Sequence, residues 1–248
     1  VQLLWPTTPA DAVTDADLER LYGYPEDLTR PWVQVNFVSS ADGAAAVNEL
    51  SEGLSHPADK RVFLMGRLLS DVILVGAGTA RAEGYRGARI NAERTARRVA
   101  LGLSEVPPIA VVTRSGELDP AGPLFTDTKV PPIVITTEKA PRAELERAGA
   151  DVLVAGTDDV DLGHALELLG KRGLRRIDCE GGPMLFGDLI AADLVDQLCL
   201  TVAPLLAGAG ARRIAHGRPT PDPRRMDLAS VLFEDGFTML RYRRREGG

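Results

Sequence analysis

Residues 177–185 read Ile177-Asp178-Cys179-Glu180-Gly181-Gly182-Pro183-Met184-Leu185. A short apolar run meets a Gly-Gly turn, and the turn opens onto a proline. Proline suits the first turn of a helix, where its missing N–H is no loss. The stretch therefore reads as strand, tight turn, helix. An upstream stretch repeats the pattern: Val72-Ile73-Leu74-Val75 runs into Gly76-Ala77-Gly78-Thr79 and then a helical signal. Two such junctions in one chain point to an α/β fold with a largely parallel sheet.

The surrounding sequence fits. Apolar runs at 32–38, 109–113, 133–136, 152–155 and 195–202 are nearly continuous rather than alternating. Strands covered on both faces have that composition. Between the runs, 57–69, 140–148, 162–172 and 183–192 keep a helical period. Val62, Met65 and Leu69 share one face of the first. The tail differs: 231–233 and 237–242 flank Glu234-Asp235-Gly236 and read as a β-hairpin, so the sheet should end antiparallel. Residues 86–107, rich in arginine, are expected to form an exposed helix or loop. The arginine cluster at 241–245 is expected to face solvent. Residues 1–29 read as an irregular N-terminal arm with a short acidic helix at 14–18, and 30–248 as one domain.

Composition removes several classes. The 248 residues carry 29 Lys and Arg against 35 Asp and Glu, a formal charge of −6. That balance argues against a general nucleic-acid binder. Cys179 and Cys199 lie in strand-like sequence and read as buried free thiols. With only His56, His164 and His216 beside them, no metal-ligand spacing appears. The longest uncharged run, 198–211, is broken by Pro204, Gly208 and Gly210 and is too short to span a membrane. No positive charge precedes Arg20, so no signal peptide is read, and a cytoplasmic protein is expected.

Glycines at strand ends let backbone N–H groups approach a ligand, and a helix start favours an anion. Gly76, Gly78 and Thr79 form one such loop, with Thr79 placed to cap a short helix. Gly181, Gly182 and Pro183 form the other. Glu180, at a strand's carboxyl end, points to the crevice where α/β proteins bind ligands. Glu83 could position a ring or relay a proton. The Asp42-Gly43 pair after the first strand reads as a turn. Arg114 and Ser115 follow another strand and suit a 2′-phosphate.

Taken together these motifs resemble the reductase domain of riboflavin biosynthesis, the 5-amino-6-(5-phosphoribosylamino)uracil reductase family. The residues that carry the resemblance are Ser40-Ala41-Asp42-Gly43, Gly76-Ala77-Gly78-Thr79 with Glu83, Glu180-Gly181-Gly182-Pro183-Met184-Leu185, and Val195-Asp196-Gln197-Leu198 with Ala203-Pro204. The pattern is most similar to stand-alone actinobacterial pyrimidine reductase-like proteins. The resemblance implies a dihydrofolate-reductase-like fold with a mixed, mostly parallel central sheet, helices on both faces and a C-terminal antiparallel hairpin. It implies NADPH-dependent reduction of a pyrimidine intermediate by a homodimer, or alternatively dihydrofolate reductase-like activity on a pterin, or NADPH binding without this catalysis. On the family pattern, Gly76, Gly78, Thr79, Gly181, Gly182, Pro183, Met184 and Leu185 would hold NADPH, with Arg114 and Ser115 by its 2′-phosphate. Asn36, Asp42, Ser51, Arg67 and Arg89 would meet the substrate, and Glu83 and Glu180 would be catalytic.

This chain departs from the family pattern in three places. Asn36 stands where riboflavin reductases commonly carry lysine. Ala82-Glu83-Gly84-Tyr85 replaces the usual A-D-D-P. Gly53 takes the place of a frequent tryptophan. The H-x-E and P-C-x-x-C signature of a zinc deaminase is not in this sequence.

Overall fold

The computed structural model describes residues 2–5, 12–48, 50–219 and 222–245. Pro6 and Pro9 of the expected arm lie outside the described residues. The strands are β1 (Gln2–Trp5), β2 (Trp32–Ser40), β3 (Val72–Gly76), β4 (Ile109–Val112), β5 (Ile133–Thr136), β6 (Asp151–Val154), β7 (Arg176–Cys179), β8 (Gln197–Ala203), β9 (Met226–Glu234) and β10 (Phe237–Arg244). The helices are α1 (Asp15–Tyr22), α2 (Pro57–Leu69), α3 (Ala77–Ala82), α4 (Ala92–Ala100), α5 (Pro123–Thr126), α6 (Ala143–Arg147), α7 (Leu162–Lys171) and α8 (Pro183–Ala191).

One ten-stranded sheet runs in the order β1-β9-β10-β8-β2-β7-β3-β4-β5-β6. From β8 through β6 every pairing is parallel. β10, β9 and β1 close the other edge with antiparallel pairings. The mixed sheet with its terminal hairpin is thus the architecture expected from sequence. The hairpin turns on Asp235 (φ 49°) and Gly236 (φ 84°). Positive φ at both positions matches the right-handed twist of the strands it joins.

α7 and α8 cover one face. Their Leu162, Leu166, Leu169, Leu185 and Leu189 pack on Val33, Val35, Val72, Leu74, Ile177 and Cys179. α1 and α2 cover the other face, where Leu18 and Tyr22 meet Val62, Met65 and Leu69. The acidic signal at 14–18 is the start of α1, closed by a Thr14–Asp17 capping box. Below it, Gln2–Trp5 pairs with β9 as an edge strand, so the stretch read as irregular contributes both a strand and a helix.

Two sequence expectations need correction. Residues 86–107 do contain a helix, α4, but it is not simply exposed: Arg98 is completely buried. Its guanidinium donates to the carbonyls of Arg67, Leu68 and Ser70 at 2.8–2.9 Å. A cation there satisfies the orphan carbonyls at the C-terminus of α2. The cluster at 241–245 likewise does not all face solvent. Arg241 is 6% exposed and donates to Ser230 and Gln197. β10 is covered by α1 and α2, so its alternate side chains point inward.

Candidate active site

The strand ends and the helices above them enclose a cavity of about 1200 Å³. Its floor is made by Asn36 on β2 and Glu180 after β7, and α2 supplies Asp59, Lys60, Phe63 and Arg67 along one wall. Asp59, Phe63 and Arg67 are spaced four apart and therefore share a helix face.

Glu180 is 7% exposed. Arg67 grips its carboxylate with two bonds, Nε to Oε1 at 2.6 Å and Nη2 to Oε2 at 2.7 Å. The Tyr85 hydroxyl donates to Oε2 at 2.6 Å. Bidentate guanidinium–carboxylate pairs fix geometry as well as charge. Burial works against the Arg67 cation, but the Glu180 carboxylate outweighs it and the pKa rises. Tyr85 is held well above the ordinary phenol value, by burial first and then by Glu180. The guanidinium also lies 4.6 Å over the Phe63 ring, a cation–π arrangement. Asn36 differs: its Nδ2 is buried and finds no partner among the described residues.

The glycine half of the cavity is bare backbone. Gly76, Gly78, Gly182, Pro183 and Leu185 line it, with Thr79 between the two loops. A Cβ on Gly78 would meet nothing within 4 Å, while one on Gly182 would collide with the Thr79 hydroxyl. Gly182 is the N-cap of α8 and, having no side chain, leaves the first-turn amides without a side-chain cap. Open amides at a helix start, beside glycines that let a ligand touch the chain, fit the diphosphate of a dinucleotide. Thr79 does not cap α3; it lies inside it, behind the N-cap Gly76.

The structure distributes the other expected site residues unevenly. Ser51, Glu83 and Arg89 reach the cavity, and the Ser51 amide donates to Glu83 Oε1 at 3.0 Å. Arg89 pairs with Asp127. Met184 lines the mouth, half exposed. Gly181 sits under the floor, where a Cβ would come within 2.7 Å of Phe37. Arg114 and Ser115 are exposed after β4, outside the cavity lining. Asp42 is outside it too. It accepts from the Ser40 hydroxyl and from the Ala207 and Gly208 amides, and so ties down the loop that carries Arg212 and His216 into the wall. Those three bonds hold its carboxyl at about 2.

Sequence reasoning did not single out Lys60, Phe63, Tyr85 or Arg212 as site residues. The four-residue spacing of Asp59, Phe63 and Arg67 was a legible signal for Phe63. Nothing local announced Tyr85, whose partner is 95 residues away. Among the described residues no cluster of His, Cys, Asp and Glu could hold a metal, and no helix is long and apolar enough to cross a membrane.

Glycine-turned strand ends over a polar cavity, on a mixed sheet with helices on both faces, make the dihydrofolate-reductase-like fold, and the named reductases the chain is similar to make it an oxidoreductase of that fold. The chain belongs to the RibD C-terminal domain family, whose sequence profile matches residues 31–234. The 2,5-diamino-6-ribosylamino-4(3H)-pyrimidinone 5′-phosphate reductase of Archaeoglobus fulgidus is 31% identical over 182 residues, 72% of this chain and 83% of that protein. The reductase of the same name from Methanothermobacter thermautotrophicus is 32% identical over 192 residues, 76% and 85% of the two chains. A pyrimidine reductase-like protein from Corynebacterium diphtheriae superposes with a TM-score of 0.77 at 26% identity, over 86% of this chain and 91% of that one. The riboflavin biosynthesis reductase Rib7 of Saccharomyces cerevisiae, 18% identical, shares the fold with a TM-score of 0.69. Reductases of this family work with a nicotinamide cofactor.

Proposed function

We propose that this protein reduces a ribosylaminopyrimidine 5′-phosphate of riboflavin biosynthesis with NADPH. The observation that carries the reading is the single cavity with two unlike halves: a polar floor fixed by Arg67, Glu180 and Tyr85, and a glycine wall left open for a dinucleotide. The family relatives support the substrate class.

Gly76, Gly78, Gly182 and the first turn of α8 would hold the cofactor, which when bound supplies the hydride. The rest belongs to the protein. Asn36 Nδ2, buried and unpartnered, donates to an acceptor on the substrate ring. Glu180 has both oxygens engaged, so it orients and balances charge rather than exchanging protons freely. Glu83 is exposed at the rim with one oxygen held by the Ser51 amide. Reduction of the ring-opened C1′=N imine adds a hydride at C1′ and a proton at the nitrogen, which stays bonded to C1′; Glu83, in its acid form, is the rim group placed to relay that proton from solvent. Lys60 and Arg212 line the cavity and suit the substrate phosphate. Arg114 and Ser115, exposed after β4 and outside the cavity lining, would meet the 2′-phosphate of a cofactor that extends past the rim and so favour NADPH over NADH.

Steady-state oxidation of NADPH, followed by absorbance with the aminopyrimidine phosphate, the diaminopyrimidinone phosphate and dihydrofolate in parallel, tests the reading. Turnover with a pyrimidine phosphate is expected. Turnover confined to dihydrofolate, or NADPH binding without turnover, would overturn the substrate. An equal kcat/KM with NADH, or no effect of Arg114→Ala on the ratio, would overturn the cofactor preference. A cytoplasmic homodimer belongs to the same reading, with Leu206, 79% exposed, available for an interface. Elution at monomer mass would count against the dimer.

A further inference from the structure

Two residues before Glu180, within β7, lies a second acid that the reaction does not use. Asp178 has no exposed surface, and neither of its carboxyl oxygens finds a hydrogen-bond partner among the described residues. Strand alternation puts Asp178 and Glu180 on one face, about 7 Å apart along the chain. That face is the one under α2. A Cβ on Gly66 would come within 2.5 Å of Asp178 Oδ2, so the glycine there is what admits the carboxyl.

The charges around it settle its state. From α2 comes Arg67, already committed to Glu180 by two bonds. From the position just after β7 comes Glu180, which repels a second anion. Gln34 on β2, its partner in register, turns a neutral amide toward it, which favours the charged form but brings no counter-charge. The neighbours Cys179 on β7, Cys199 on β8, Tyr24 after α1 and Tyr85 after α3 are all groups that are uncharged when protonated. Arg241 and Arg243 on β10 reach Gln197, not Asp178. A carboxylate so placed would be buried without a counter-ion, which a protein avoids by keeping the proton. Burial first, and Glu180 second, push its pKa well above the usual carboxylate range, outweighing Arg67 and the Gln34 amide, which favour the charge.

We propose that Asp178 is a positioning residue for the reductase site, carried as a neutral acid whose proton leaves Arg67 wholly committed to Glu180. When that proton passes to solvent at alkaline pH, two buried carboxylates compete for one guanidinium, and the Arg67–Glu180–Tyr85 arrangement at the cavity floor loosens. The inference rests on the proposed reductase function for its effect on turnover, but the proton itself can be read without any substrate.

The test compares the protein with Asp178→Asn, a neutral near-isostere, and with Asp178→Leu should the first fail to fold. A protonated buried carboxyl gives its own C=O stretch in the infrared. Wild type is expected to show that band at neutral pH, and both variants to lack it. The folded state then holds one proton more than the unfolded chain above about pH 4, so wild type loses stability as pH rises until Asp178 ionises. Relative to the variant, its unfolding constant is expected to rise about tenfold per pH unit in urea titrations across that window. Third, kcat/KM of wild type is expected to fall at alkaline pH, and the variant to lose that decline. A wild type without the band, or with a stability–pH slope parallel to the variant's, overturns the neutral acid. The band and slope with superimposable pH–rate profiles overturn the positioning role. If no pyrimidine is turned over, the functional reading fails by itself. The alkaline dependence of NADPH binding, read by fluorescence, then takes the place of the rate, and its persistence in the variant overturns the positioning role.

Discussion

On β2, Val33 and Val35 turn toward α7 and α8, while Gln34 and Asn36 turn toward α1 and α2. The neighbouring β7 repeats the division, with Ile177 and Cys179 on one side and Asp178 and Glu180 on the other. The first face packs on apolar side chains of α7 and α8, mostly leucines with Ala165 and Phe186. The second is a buried polar file that joins Gln34 to Gln197 and Gln197 to Arg241 and Arg243, and ends at the cavity floor. Both faces are covered, but they do different work. Apolar contact is non-directional and contributes stability by area. Buried polar groups are costly unless satisfied, so the bonded positions are specified by their partners, while Asn36 Nδ2 and the Asp178 carboxyl stand out as unbonded among the described residues. In this chain the face that demands specific partners is the face that forms the site.

Breaking the polar face at its end should have the largest effect. Glu180→Gln removes the countercharge of Arg67 and should lower kcat/KM by roughly 10²-fold through lost positioning, as read in the NADPH assay. A loss under tenfold would mean that the polar file does not govern the chemistry. The apolar face should answer the opposite way. Leu189 is fully buried between α8 and the sheet. Leu189→Ala should cost about 2–5 kcal/mol in urea unfolding while kcat/KM of the folded enzyme stays within about twofold. A large kinetic change with little loss of stability would erase the contrast.

Gly66→Ala probes the join between α2 and the polar file. The added methyl meets the Asp178 carboxyl and should cost about 1–3 kcal/mol through overpacking, measured by the same unfolding titration. The smallest effect belongs to Asp42, outside the cavity. Its pKa in the folded chain, about 2, lies below the unfolded value. Its contribution is therefore complete above about pH 4 and is lost as pH falls through the folded value. Asp42→Asn should lower Tm slightly at neutral pH, with the two melting curves converging in acid. A Tm difference that is the same at every pH would show that the charge of Asp42 does not hold the loop.

Much of the fold was legible because its signals are local. The β-branched runs, the proline after Gly182 and the Asp-Gly turn each act over a few residues, and all reappear as elements. The same is true of the glycine wall, since a strand end followed by glycines and a helix start is a contiguous motif. Burial of individual arginines was not legible. Arg98 and Arg241 look like surface charges in sequence, and only distant carbonyls or side chains make their burial tolerable. Tyr85, Asp178 and the outlying position of Asp42 escaped for the same reason: each is defined by what lies across the sheet or across a loop.

The sequence by itself determined the alternation of strands and helices, the antiparallel tail and the two glycine turns, because backbone preference and hydrophobic pattern are set within a short window. It also carried the family resemblance in those turns. Only the tertiary structure decided which acids are paired, which is left without a partner and which side chains face the cavity. Those outcomes depend on β2, β7 and α2 meeting across long stretches of chain, and on the low dielectric created when they do.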